Sequence, residues 1–286
     1  MEQNSSNANY DCLTFDIDDT LYPYSSGLGA QITKNIEAYM IEKLGIQEEK
    51  APELSLLLYH QYGTTLAGLR AIGYDFDYDD FHGYVHGRLP YGDLLKPDPV
   101  LRNLLLSLPI RKVAFTNADA AHASKVLGRL DLEDCFECVI CFETFNPVPN
   151  GSNASGNTSE SVTGTLTESK EIFDIMGENV QISEYPRTPV VCKPFAEAFE
   201  QFFKMANINP QRTLFFDDSV RNIQAGKLVG LHTVLVGKSQ KVKGADYALE
   251  SIHNIREALP ELWLALEKTE KVEYTEKVAV ETSVRA

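Results

Sequence analysis

The chain has 286 residues, 43% of them hydrophobic, and a formal net charge of -15. That is enough apolar material for one large domain or a core with a smaller companion, while the acidic balance argues against a nucleic-acid polymer as main partner, because phosphate backbones are gripped by clustered Lys and Arg. No stretch reaches the roughly 18 apolar residues of a membrane span, residues 1–9 are polar and unlike a secretory signal, and an odd cysteine count, five, suits a reducing compartment, so a soluble cytoplasmic protein is expected.

The first core strand is expected at residues 10–18. It runs into Phe15-Asp16-Ile17-Asp18-Asp19-Thr20-Leu21, which sets carboxylates at i and i+2 on the lip of a strand. If the strand continues, Asp16 and Asp18 point to one side; if the chain turns away after Asp16, they flank a ligand instead. Crowded carboxylates repel unless a cation or proton lies between them, and a hard cation such as Mg²⁺ suits oxygen donors. The plainer reading is a helix cap or turn. Residues 30–106 then carry helical patterning, with Ile32, Ile36, Met40 and Leu44 four apart. Breaks fall near 62–65 and 83–90, and the block reads as an inserted helical cap over 25–99.

From residue 113 onward short apolar strands alternate with helices, which predicts a parallel sheet with crossovers. Strands are expected at 113–116, 138–142, 190–193, 214–217 and 233–236. The strand at 113–116 ends in Thr116-Asn117, and Val190-Val191-Cys192-Lys193-Pro194 brings a lone lysine to another strand end. Leu214-Phe215-Phe216-Asp217-Asp218 repeats the pattern of a strand ending in paired carboxylates. Cys135, Cys138 and Cys141 have the spacing of a metal clip, but in a strand Cys138 and Cys141 face opposite sides, so they read as small buried apolar residues. The tract at 146–169 is polar and reads as a flexible surface loop, and the stretch from 268 as a peripheral tail. In an open parallel sheet ligands bind beyond the carboxyl ends of strands. Every motif lies at such an end, so the four sets can converge on one site.

The ordered set Asp-x-Asp-x-Thr, Thr-Asn, Lys and Asp-Asp resembles the four motifs of the haloacid dehalogenase-like superfamily, over about residues 10–236. The segment from Leu21 to Leu28 is similar to the branch containing pyrimidine 5'-nucleotidases and plant xanthosine monophosphate phosphatases. The resemblance implies an α/β, doubly wound parallel-sheet core, at 1–24 and 100–286, with the helical cap inserted. It implies Asp16 as nucleophile and Asp18 as general acid and then base. Thr116 and the backbone amide of Asn117 would bind phosphoryl oxygens, and Lys193 would neutralise both nucleophile and phosphate. Mg²⁺ would be held by Asp16, the backbone carbonyl of Asp18, and Asp217 and Asp218, with Asn222 orienting the last pair. A carboxylate at Asp18 favours phosphate-ester chemistry over dehalogenation.

Selection of the leaving group would fall to the cap and first loop, with Tyr22, Ser25, Thr64, Thr65, His82, His86, Arg88 and Tyr91 as candidates. The aromatics between 74 and 91 could stack a base or simply fill a helix interface. The expected function is Mg²⁺-dependent hydrolysis of a small phosphomonoester, a nucleoside 5'-monophosphate of the pyrimidine or xanthosine/guanosine type. A sugar-phosphate or phosphoglycolate phosphatase is the alternative on the same scaffold, and a non-catalytic regulatory binding protein is the alternative of another class.

Overall fold

The computed structural model describes residues 10–147 and 186–263. All but the first two residues of the tract at 146–169, and the tail from 268, lie outside them. Six strands form one sheet in the order β3-β2-β1-β4-β5-β6, and every pairing is parallel. They are β1 (Cys12–Phe15), β2 (Arg111–Phe115), β3 (Cys138–Ile140), β4 (Thr213–Asp217), β5 (His232–Val236) and β6 (Tyr247–Leu249). The order reverses at β1, which lies between β2 and β4, so a crevice opens there beyond the strand ends.

Alternate residues of each strand feed different cores, as the period of two requires. Leu13, Phe15, Ala114, Leu214 and Phe216 belong to one apolar cluster, whereas Cys12, Val113, Phe115 and Phe215 belong to a second on the other face. Paired register brings Phe15 opposite Phe216, and their rings stack at 4.5 Å. Helices α6 (Pro99–Leu106) and α7 (Ala120–Leu130) cover the first face; α9 (Ala196–Met205) and α10 (Val220–Leu228) cover the second. The fold is thus doubly wound.

A third apolar cluster is built by α1 (Leu28–Glu42), α2 (Ala51–Tyr62), α3 (Thr65–Ala71) and α4 (Tyr78–Val85), with Phe142, Val190 and Cys192 reaching it from the sheet's loops. Local signals start these helices. Thr64 caps α3 by accepting from Ala67 N at 3.1 Å, and Asp77 caps α4 by accepting from Asp80 N at 2.8 Å, each satisfying an orphan donor of the first turn. Leu89, Tyr91 and Leu95, grouped with the helical block by sequence, pack in the sheet's first cluster instead.

One expectation needs correction, and one strand was absent from the expected set. Residues 190–193 form no strand. Their backbone is held by side chains: Val191 N donates to Asn146 Oδ1 at 2.9 Å and Lys193 N to Asn117 Oδ1 at 2.8 Å. The following proline, which has no N–H, leaves nothing to extend a ladder. The sixth strand, β6, has no counterpart among the expected strands, because its three residues stand between Asp246 and Glu250 without the longer apolar run that continues past β3 to Phe142. All five cysteines are free; Cys135 and Cys141 are buried, whereas Cys138 is only partly so, and Cys141 falls just past the end of β3.

Candidate active site

β1 stops at Phe15, but Asp16 N still donates to Phe216 O at 2.8 Å. The chain then leaves the sheet in a turn closed by Leu21 N donating to Ile17 O at 3.0 Å, with Asp19 at φ 54°. Of the two geometries the sequence allowed, the turned one is realised. Asp16 stays over the sheet and Asp18 stands beside it, both lining one cleft of about 410 Å³, a size suited to a small ligand.

Lys193 organises the floor. It is 1% exposed, and its ammonium donates to Asp16 Oδ1, Asp217 Oδ2 and Phe115 O, each at 2.8 Å. Three donors thus meet three acceptors, as a buried ammonium requires. Burial alone would lower the Lys193 ammonium, but Asp16 and Asp217 outweigh it and hold it above the usual lysine range. The lysine backbone is clamped by the Asn117 amide, which accepts from Lys193 N at 2.8 Å and donates to Lys193 O at 3.0 Å. Gly63, at φ +84°, closes α2 against the same carbonyl: a Cβ there would lie 2.2 Å from Lys193 O, so neither space nor conformation admits a side chain.

The paired carboxylates at the end of β4 behave differently. Asp217 is fully buried, and besides Lys193 it accepts from Ser219 N at 2.8 Å and from Asn222 Nδ2 at 3.1 Å. No donor among the described residues reaches the Asp218 carboxylate. Burial, then the charges of Asp217 and Asp16, push its carboxyl up to about 8. Burial likewise pushes Asp16 up, against the pull of Lys193. Oxygens of Asp16, Asp217 and Asp218 lie within 4.8 Å of one another. Three carboxylates around one ammonium leave negative charge unbalanced, and an all-oxygen donor set with one unpartnered member fits a hard divalent cation. Asp18 stands apart: its Oδ1 accepts from Tyr22 OH at 2.6 Å and pairs with His122 Nε2 at 2.7 Å, so its carboxylate is outside the three-carboxylate group.

The remaining candidates separate. Thr116 and Asn117 line the cleft; the Thr116 hydroxyl accepts from Ala118 N at 3.0 Å. Thr64, Thr65, His82 and His86 also line it, beneath a wall formed by Ile32, Ile36, Leu66, Phe81, Val85 and Phe142. Burial drives the His82 imidazole down to about 4, so it is neutral at neutral pH. Tyr22 and Ser25 open instead onto a neighbouring cavity beside β5. Tyr91 is buried behind His122. Arg88 does not line the cleft; it is exposed and lies over the Tyr84 ring at 3.6 Å, one turn back. Sequence reasoning overlooked His122, Asp119 and Arg221. His122 is 0% exposed on the inner face of α7, among Ala123, Val126, Leu127 and Leu130. A histidine in an apolar stripe, a few residues past the Thr-Asn motif, was the available signal. Arg221 donates to Tyr59 O and His60 O at 2.6 and 2.8 Å, tying α10 to the end of α2 at the cleft mouth.

No family model matches the chain. Phosphate metabolism protein 8 of Saccharomyces cerevisiae is 30% identical over 130 residues, 43% of this chain and 40% of that protein, so the match spans less than half of the curated relative. A HAD phosphatase from Thermococcus onnurineus superposes with a TM-score of 0.50 at 16% identity, over 86% of this chain and 96% of that one. CbbY from Rhodobacter sphaeroides, solved in complex with phosphate, does so with 0.51 at 14%, over 88% and 99%. The chain has a haloacid dehalogenase-like fold. In that fold the motif-bearing residues Asp16, Thr116, Lys193 and Asp217 converge beyond the ends of neighbouring strands.

Proposed function

We propose that the protein is a Mg²⁺-dependent phosphatase acting on small phosphomonoesters through an aspartyl phosphate, with a nucleoside 5'-monophosphate as substrate. The observation that carries this reading is the Asp16–Lys193–Asp217 ion pairing at 2.8 Å, with Asp18 and the unpartnered Asp218 on the same cleft. Asp16 attacks phosphorus; its oxygen–phosphorus bond forms as the ester oxygen–phosphorus bond breaks, and Asp18 passes a proton to the leaving oxygen. Asp18 then takes a proton from water, whose oxygen joins phosphorus as the aspartyl bond breaks, releasing inorganic phosphate. Lys193 stays in place throughout and offsets charge at the nucleophile, a fixed electrostatic role that needs no rearrangement.

Mg²⁺ would be held by Asp16, Asp218 and the Asp18 backbone carbonyl, while Asp217, already bonded by Lys193, Asn222 and Ser219, steadies the floor. When bound it screens the charge of the phosphoryl group. Residues 25–99 would act as the cap that excludes water and selects the leaving group. The apolar wall of the cleft, with neutral His82, suits a planar heterocycle. Two relatives accord with phosphate chemistry in their names alone: the yeast protein is named for phosphate metabolism, and CbbY was solved with phosphate. The test is phosphate release with Mg²⁺ and with EDTA across purine and pyrimidine monophosphates, xanthosine monophosphate, sugar phosphates and phosphoglycolate. Turnover that EDTA leaves intact would overturn the metal assignment. A preference of tenfold or more for a sugar phosphate, about 1.4 kcal/mol of transition-state binding, would overturn the nucleotide assignment.

A further inference from the structure

Asp18 is held from behind by a chain of groups that the reaction sequence leaves without a task. His122 pairs through Nε2 with Asp18 Oδ1 at 2.7 Å, and its Nδ1 meets Tyr91 OH at 2.8 Å. The Tyr91 hydroxyl donates to His86 O at 3.1 Å. With its proton committed there, the tyrosine oxygen accepts from His122 Nδ1–H, and Nε2–H donates to Asp18 Oδ1, so the ring is protonated on both nitrogens and the two bonds fix its orientation. The backbone of His122 is pinned as well, since its N–H donates to Asp119 Oδ1 at 2.9 Å, while Asp119 Oδ2 pairs with His86 Nδ1. Tyr22 OH donates to Asp18 Oδ1 from the other side at 2.6 Å. Both partners thus take the same oxygen. No hydrogen bond among the described residues reaches Asp18 Oδ2, and Asp18 faces the cleft. A carboxyl group anchored through one oxygen presents the other in a single orientation, the geometry a proton donor needs.

We infer that His122, braced by Tyr91, is the positioning residue of Asp18: it locks Oδ1 so that Oδ2 faces the leaving oxygen of the substrate. This rests on the phosphatase reading above. Its signature is dependence on the leaving group, because only a poor leaving group needs the proton. In His122→Ala, kcat/KM for an alkyl phosphomonoester, such as the best nucleotide of the wild type, should fall about 10²-fold. For 4-nitrophenyl phosphate, whose leaving oxygen departs unprotonated, it should fall less than about 5-fold. His122→Gln, which carries a nitrogen the same number of bonds from Cα, should recover part of the alkyl activity. Tyr91→Phe, which keeps the ring and removes the hydroxyl, should shift the alkyl-to-aryl ratio the same way by a smaller factor, and serves if His122→Ala fails to fold.

Equal losses on both substrates, or no loss on either, in a folded variant of an active wild type would overturn the positioning role alone. A wild type without Mg²⁺-dependent turnover of any phosphomonoester would overturn the phosphatase reading, and the role with it.

Discussion

Replacing Lys193 by Met keeps an unbranched side chain, one atom shorter, and removes the ammonium whose charge and three hydrogen bonds hold the floor of the cleft together. At 2.8 Å each ammonium–carboxylate contact has a gross attraction of about 6 kcal/mol at an effective dielectric of about 20. Most of that offsets the desolvation of groups that are 1%, 7% and 0% exposed for Lys193, Asp16 and Asp217. What appears on mutation is the penalty for leaving a buried partner uncompensated, about 3–5 kcal/mol. The chain can escape part of it by keeping one more proton on the carboxylates that the ammonium held. The native state of the variant then binds one proton more than the unfolded chain, so its stability falls as pH rises above the ordinary carboxyl value of 3.8, by about 1.4 kcal/mol per pH unit. The deficit relative to wild type should therefore be about 3–5 kcal/mol near pH 7 and smaller at pH 5, where the extra proton costs less. Urea unfolding of the metal-free proteins, followed by the fluorescence of the single tryptophan, Trp263, measures both. A variant within about 1 kcal/mol of wild type at pH 7, or a deficit that does not shrink toward pH 5, would refute the pairing argument.

Three further outcomes are expected. Asp16→Asn, whose amide oxygen can still accept from Lys193, should lower phosphate release by at least about 10⁴-fold in a variant that still folds; near-normal hydrolysis would sink the nucleophile assignment. Because Asp218 is pushed up to about 8, the metal-free native state holds protons that the unfolded chain has lost. Its stability should fall as pH rises from the ordinary carboxyl range toward 8, and Mg²⁺, which competes with those protons, should raise the melting temperature more at pH 8 than at pH 6. A thermal-shift series that is flat or reversed would speak against Asp218 as a ligand. Gly63→Ala should cost about 1–3 kcal/mol and lower activity with it, since the added Cβ meets the Lys193 carbonyl; unchanged unfolding and kinetics would show that the α2 end is freer than its geometry implies.

The amino-acid sequence alone determined the strand-end chemistry. Short apolar runs that end in a carboxylate, a Thr-Asn pair or an Asp-Asp pair are local patterns, legible over a few residues because a strand of a parallel sheet is buried on both faces and apolar throughout. The parallel order followed from the alternation of strands with helices. The tertiary structure decided what distance along the chain conceals. Asp217 and Asp218 look alike in sequence, but strand β4 carries the first into the floor beneath Lys193, while the turn before α10 leaves the second unpartnered at the cleft. Tyr22 looked like a substrate contact and instead bonds Asp18, because the turn after β1 folds its ring back. Arg88 looked equally eligible and lies over Tyr84, outside the cleft. His122 reaches Asp18 across 104 positions. Nothing local marks that contact, which exists because α7 packs its inner face against the sheet just where the first loop turns away.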